Sequence, residues 1–384
     1  MKNFFKIIFV ITLIFSTIFS IGNASEEKIK IGLLVPMTGE NKEIGDSIIK
    51  AVRLAVKDID NNLIEIYPKD TATKANQSLK SAFELSEMGI KIVIGPVFYE
   101  SLTYLDEMEN LTFLSLTNKT LDLPKNVISA GINSTSQFNT IKKFLETNQI
   151  QRTIFLTPIQ DYEFEVKKGM KNSKIKIYKD YEYNTEPTKL TKQIEEITNY
   201  RIRKQNLEDE INRIKNSNDP NKEKKIKRLE KRYTLGSLNF EAVVIADFDE
   251  SLKSVATSLL YTDVSSKRIS YIALNQWFDN SLLKENSLHP LYFPSINKES
   301  YDLFINEYNR SYKTKPNQIS FLSYDLIGLV YFLIYKNDFK VSNNIFYKQN
   351  KFKGKIGIFE INKNIITHQL NFYSIEDNKF KKIF

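Results

Sequence analysis

From residue 28 onward the chain alternates between runs that suit strands and runs that suit helices, and this alternation restricts the fold more than any other feature. Lys28–Val35 is β-rich, and Ile44, Ile48, Val52, Val56 and Ile59 follow at helical spacing until Asn61-Asn62. Leu63–Tyr67 is predicted as a second strand, Gln77–Ser86 as a helix and Ile90–Ile94 as a third strand. Ser101–Asn110 then reads as a helix and Leu111–Leu116 as a strand. A second series begins near Ile150, with strand candidates at Thr153–Leu156, Lys174–Tyr178, Ala242–Ala246 and Ile269–Leu274 and helical stretches between them. Tyr324–Ile334 is helical, and Lys355–Ile361 and Leu370–Ile375 are β-rich. Such alternation makes an α/β fold, parallel sheets with helices on both faces. A length of 384 residues is too much for one layered core and suits two lobes.

One segment breaks the alternation. From Tyr200 to Tyr233 there is no strand signal, and charged residues crowd the run. Leu207, Ile211 and Ile214 form one narrow apolar stripe and Ile226, Leu229 and Tyr233 another, with Asn218-Asp219-Pro220 between them as a turn. The pattern predicts a helical hairpin with a coiled-coil-like seam, its first arm standing out by roughly 25 Å. A disordered charged loop is the competing reading. Between Arg201 and Arg232, 12 Lys/Arg stand against 6 Asp/Glu, so this block carries most of the +9 net charge of the chain. Such a block suits an acidic protein, an anionic envelope polymer or a lipid surface; the plainer reading is a solvated face.

The start of the chain sets the expected compartment. Lys2 and Lys6 precede the apolar stretch Ile7–Phe19, and Gly22-Asn23-Ala24 places small residues where a signal peptidase cuts. Residues 1–24 are therefore predicted to be a cleavable signal peptide, with the mature protein exported to the periplasm. The apolar stretch is short for a membrane span. No cysteine is present, which removes disulfides, thiolate metal sites, Cys nucleophiles and a lipid anchor on an N-terminal Cys. The two histidines, His289 and His368, lie in no recognisable motif, and G-x-S-x-G, Walker, H-E-x-x-H and G-x-G-x-x-G patterns are all missing. The expectation is a non-enzymatic protein with no metal, no cofactor and no nucleic-acid partner.

The opening IGLLVPMTGENKEIGDSIIKAVRLAV resembles the start of leucine-binding-protein-like periplasmic receptors: a strand, a Pro-x-Thr-Gly turn, then a glycine opening the first helix. The resemblance implies the periplasmic-binding type I fold, two Rossmann-like lobes joined by three crossovers with a ligand cleft between them. The crossovers are expected near residue 147, near Leu291–Ile296 and near residue 345. Lobe one would then comprise residues 28–146 and 297–345, and lobe two residues 147–296 and 346–384, with 200–233 as the helical hairpin insertion. In the solute receptors the turn after the third strand usually carries adjacent serines that hold an amino acid's carboxylate. Here GPVFYES places Phe98 and Tyr99 at those positions. That turn looks more like the one in penicillin-binding-protein activators, which share the fold. LTFLSLTNKTLDLPKNVISAGI, RYTLGSLNFEAVVIADFDESL, YIALNQWFDNSLL and FKGKIGIFEIN are similar to those activators as well.

If the cleft takes a zwitterionic ligand, the resemblance carries several positions over. Thr38 and Gly39 lie on the first turn, Phe98, Tyr99 and Ser101 on the third-strand turn, and Thr117 and Asn118 on the next. Ser101 and Thr117 would donate to a carboxylate. From lobe two, Asp161 and Tyr162 would face the cleft, and Asp247, Asp249 or Glu250 would receive an ammonium. The alternative is that Phe98 and Tyr99 pack between the lobes and the acids are solvated. Trp277, the single tryptophan, either stacks on a ligand at the rim or covers the end of the sheet. The resemblance implies a regulator of peptidoglycan synthesis that contacts a peptidoglycan synthase. The other reading is an amino-acid receptor that delivers its solute to an ABC permease.

Overall fold

The computed structural model describes residues 28–60, 63–362 and 365–384. The expected signal peptide over residues 1–24 lies outside them. In the first lobe β1 (Ile29–Val35) runs parallel to β2 (Ile64–Asp70), and α1 (Lys42–Ile59) connects the two. The inward face of α1 buries Ile48, Ala51, Val52 and Ala55. Gly45 lets the first turn lie directly on the start of this helix, since a Cβ there would meet the Pro36 carbonyl oxygen at 1.8 Å. α2 (Ala75–Glu87), β3 (Ile92–Ile94), β4 (Thr112–Ser115) and β5 (Val127–Ser129) continue the lobe, all the strands being parallel. The helix predicted over Ser101–Asn110 is instead two short 3₁₀ turns, Tyr99–Leu102 and Leu105–Glu107. Leu102, Leu105, Met108 and Leu111 are all buried, and their three-residue spacing matches the tighter helix.

The chain then passes into the second lobe earlier than expected. α3 (Ser134–Thr147) packs Phe138, Ile141, Phe144 and Leu145 against Phe155, Met170 and Phe372, which are core residues of the second lobe. The crossover thus falls between Ser129 and Ser134, not near residue 147. The second lobe follows with β6 (Thr153–Pro158), α4 (Glu163–Ser173), β7 (Lys179–Tyr183), α5 (Pro187–Ile197), α6 (Tyr200–Lys215), α7 (Lys222–Leu229), β8 (Ala242–Ile245), α8 (Asp249–Tyr261), β9 (Ser270–Ala273) and β10 (Leu291–Ser295). The strand predicted at Lys174–Tyr178 lies further on, at β7, whose residues pair with β6. β7 is an edge strand, exposed except near Tyr183, so apolar content does not mark it.

α9 (Lys298–Tyr312) and α10 (Ile319–Lys336) return to the first lobe and pack on α1, where the Ser47 and Ser320 hydroxyls meet at 2.7 Å. α10 is long and apolar enough to cross a membrane, yet about two thirds of it is buried here. It starts earlier than Tyr324, so Asp325 stands inside the helix rather than at its opening. β11 (Asn350–Lys353), β12 (Ile358–Asn362) and β13 (Ile365–Gln369) form an antiparallel run, and β13 joins β5 through the parallel pair Ile365 and Ser129. These three strands extend the first sheet, so the expected crossover near residue 345 is also corrected. The chain enters the second sheet only between Gln369 and Asn371, where β14 (Asn371–Glu376) pairs with β10 and β15 (Lys379–Lys382) ends the sheet. The two sheets have the orders β11-β12-β13-β5-β4-β3-β1-β2 and β15-β14-β10-β9-β8-β6-β7.

Near the crossovers the lobes share an aromatic core. Phe278 of lobe two lies 6.2 Å from Tyr301, whose ring lies 5.5 Å from Phe321 in lobe one. The hairpin α6–α7 stands on lobe two. Leu207 and Ile214 are buried, Ile211, Ile226 and Leu229 are half-buried, and Tyr233 leaves the predicted seam at 79% exposure. The root of the hairpin is polar. Arg203, 4% exposed, donates to the Thr198 carbonyl at 3.0 Å, to the Thr234 hydroxyl at 3.2 Å and to the Thr262 carbonyl.

Candidate functional site

A cavity of about 400 Å³ lies between the lobes at the ends of the parallel strands. Lobe one contributes the turn after β3, the turn after β4 and the start of α10. The first of these turns leaves the sheet through Gly95, at φ +99°, where a Cβ would meet the Leu34 carbonyl oxygen at 2.1 Å. Phe98 and Tyr99 then line the cavity, with Thr117, Asn118 and Lys119 beside them. The Lys119 ammonium sits 4.3 Å above the Tyr99 ring. Thr117 is nearly buried, and its hydroxyl accepts the Lys119 N–H at 3.2 Å.

Lobe two contributes Phe248, Asn275 and Trp277, together with Gln137 on α3. Trp277 and Phe278 are both left-handed, at φ +48° and +58°. This double turn aims the two rings apart: Trp277 lines the cavity, and Phe278 enters the shared aromatic core. Gln137 and Asn275 form a fixed polar wall. The Gln137 side-chain oxygen accepts the Asn275 N–H at 2.8 Å, and the Asn275 side-chain oxygen accepts Ser295 Oγ at 2.8 Å and the Trp277 N–H at 3.1 Å.

Five of the thirteen candidates from the sequence therefore meet at one cavity: Phe98, Tyr99, Thr117, Asn118 and Trp277. The others lie elsewhere. Thr38 and Gly39 are exposed, and the Thr38 hydroxyl is taken by Asp70 at 2.5 Å. Ser101 is buried beneath its 3₁₀ turn, and its hydroxyl has no hydrogen-bond partner among the described residues. Asp161, Asp249 and Glu250 are exposed, with Glu250 paired to Lys253 at 2.7 Å. Tyr162 stands behind the wall, its ring edge-on to Phe248 at 5.9 Å.

Asp247 is the most altered of the candidates. It is 4% exposed and turned away from the cavity, and its carboxylate accepts the Tyr162 hydroxyl at 3.1 Å, the Tyr183 hydroxyl and the Phe248 N–H at 2.8 Å. Burial pushes its pKa above the ordinary value, against the pull of the hydrogen bonds from Tyr183, Phe248 and Tyr162. Burial and the neighbouring Asp247 in turn raise both tyrosines. The expected ammonium receptor is committed to its own lobe. Among the described residues lining the cavity the only carboxylate is Glu100, exposed and on lobe one.

Gln137, Lys119, Phe248 and Asn275 belong to the cavity but were not singled out by the sequence reading, although Asn275 stands in the quoted turn around Trp277. A polar contact between the lobes was also not foreseen. Glu165 of α4, 8% exposed, reaches the lobe-one turn after β4. Its carboxylate accepts the N–H groups of Thr120 and Leu121 at 2.8 and 2.7 Å and the Thr120 hydroxyl at 2.9 Å. One turn on, the Lys168 ammonium donates to the Thr120 carbonyl at 2.7 Å. No group of three or more His, Asp or Glu with metal-binding geometry occurs among the described residues.

Two α/β lobes, three chain crossings and a cavity at the strand ends define the two-lobed periplasmic-binding type I fold. Residues 28–201 match the family model described as periplasmic binding protein. Among solved structures, the chain is similar to the C-domain of LpoA from Haemophilus influenzae, a regulator of PBP1A, at 14% identity and a TM-score of 0.58, over 92% of this chain and 100% of that one. It is equally similar to the leucine-binding protein LivK from Thermotoga maritima, at 14% identity and a TM-score of 0.56, over 93% and 98% of the two chains. A Rhodospirillum rubrum protein assigned as a branched-chain amino acid ABC transporter gives 13% identity and a TM-score of 0.71, over 93% and 100%. A comparison with curated protein sequences finds no match. Identities this low speak for the fold, and the fold serves both regulators and receptors.

Proposed function

We propose that this chain is a non-enzymatic regulator of peptidoglycan synthesis, acting outside the cytoplasm through contacts with a peptidoglycan synthase. The state of Asp247 carries the reading. A receptor for a free amino acid needs a desolvated acid opposite the α-ammonium. Here the lobe-two acid is held by Tyr162 and Tyr183, and aromatic and amide side chains face the cavity instead. The basic hairpin α6–α7 suits the same role as an arm for a partner, since none of the residues of α7 is buried. The LpoA C-domain, with the same fold, is described as a regulator of PBP1A.

A solute receptor for an ABC permease is the second reading, and the cavity itself favours it. Trp277 and Phe98 offer faces for stacking, and Asn118, Asn275 and Gln137 offer amide groups to a polar edge. Crosslinking in cells followed by mass spectrometry separates the two. Recovery of a peptidoglycan synthase supports the regulator, and recovery of a permease in its place overturns it.

A further inference from the structure

We infer that the Thr120–Leu121 turn of lobe one is a carboxylate-binding site, and that the chain fills it with its own Glu165 from lobe two, tying the lobes together before any solute arrives. This stands whichever functional reading holds.

The argument begins with two adjacent residues on α4. Phe164 is 70% exposed and Glu165 is 8% exposed, the reverse of what hydration alone dictates. A carboxylate leaves water only where donors replace its hydration shell. At Glu165 those donors are two successive backbone N–H groups and one hydroxyl, all from the opposite lobe. Consecutive amides directed at one anion form a concave receptor that needs no rearrangement to bind it. Lys168 grips the Thr120 carbonyl, so the same residue is held at its N–H, its hydroxyl and its carbonyl by one face of α4.

Position gives the contact its consequence. The turn that receives Glu165 begins at Thr117, Asn118 and Lys119, which line the cavity. α4 is fixed to the core of lobe two through Val166 and Met170. The separation of the lobes at the cavity mouth and the Glu165 contact are therefore one variable. A cleft closed by a tethered carboxylate has no need of a solute to close it. The chemistry recognised at Thr120–Leu121 is that of a carboxylate, and the occupant is the chain's own side chain.

The test uses the absence of native cysteine, which confines spin labels to introduced sites. Glu107→Cys on lobe one and Lys171→Cys on lobe two, both exposed positions, report the distance between the lobes. With no solute added, the parent protein is expected to give one short, narrow distance. Glu165→Ala should lengthen and broaden it and lower the melting temperature by several degrees. Acetate should then reverse both changes in the Ala variant, saturably, with chloride at equal ionic strength as the control. Glu165→Met fills the space without an oxygen to accept the Thr120 and Leu121 N–H groups, and should stay open whatever acetate is added. An Ala variant with the parent distance overturns the tether, and one that opens but ignores acetate overturns the carboxylate site. If the Ala variant does not fold, Glu165→Met decides: a lengthened distance supports the tether, and the parent distance overturns it.

Discussion

Two buried titratable side chains near the crossovers respond to acid in opposite directions. His368, on β13, is 4% exposed; burial drives its pKa down to about 4, although contacts with Ala130 and Gly131 act the other way. The folded value lies below the ordinary one, so this contribution to stability is complete above pH 6.5 and is lost as pH falls through about 4. The loss amounts to roughly 3 kcal/mol. Asp325 accepts the Lys355 and Ile356 N–H groups at 3.0 and 2.6 Å, and burial raises its pKa to about 6. Its folded value lies above the ordinary one, so the fold gains roughly 3 kcal/mol as pH falls from about 6 to below 4, and loses it again on the way up. Relative to the parent protein, His368→Gln should gain stability at pH 4 over pH 7, and Asp325→Asn should lose it. Melting curves at pH 7, 5 and 4 check both, and a pH-independent difference for either variant refutes its displaced pKa. At this scale the sequence was only partly legible. Phe98, Tyr99 and Trp277 stand out in a turn because large rings there need a reason. Gln137 does not, since a polar residue on a helix looks the same whether it faces water or a cavity. Asp247 is visible as an acid after a strand, but its capture by Tyr183 depends on β7 pairing with β6, which no local pattern announces.

Among the elements, the hairpin separates root from arm. Arg203 and Leu207 are buried at its base, while α7 is exposed or half-buried throughout. Removing the whole of 200–233 would take the root with it and strip three acceptors of their donor. Arg203→Met is accordingly expected to destabilise the protein by roughly 3 kcal/mol, measured by denaturant titration. Replacing only residues 208–231 with a short Gly/Ser loop should leave the melting temperature within a degree or two, because little apolar area beyond Ile214 is lost. The trimmed protein should fail to capture its envelope partner, and Lys224, Lys225, Lys227 and Arg228 changed to Glu should weaken capture at low salt. Normal capture by the trimmed, folded protein would reject the arm. The alternation of strands and helices was readable because each period is local. The crossovers were not, because α3 and the β11–β13 run look the same in sequence whichever core they join. Their lobe is decided by contacts such as Phe144 with Phe372 and Ile365 with Ser129, far apart in the chain.

For the molecule as a whole, the proposed role predicts indifference to the solutes that similar folds carry. A ligand at ~100 times its Kd adds roughly 2.7 kcal/mol to stability, well within reach of a melting scan. Leucine, isoleucine and valine are expected to leave the melting temperature unchanged, and a saturable rise with any of them would promote the receptor reading. The fold also bears on how such a chain reaches its compartment. If it is exported as proposed and passes unfolded through a channel that opens sideways to lipid, each segment is sampled by the bilayer in turn. α10 then meets lipid without α1 to cover it, and by length and apolarity it qualifies as a span. Asp325 stands within that segment, and a carboxylate near the middle of a span raises the free energy of insertion by about 3 kcal/mol. On that route the side chain that anchors residues 355–356 in the finished protein would also oppose insertion of α10 as a stop-transfer signal. Asp325→Leu should strand part of the newly made chain in the membrane, where alkaline carbonate will not extract it.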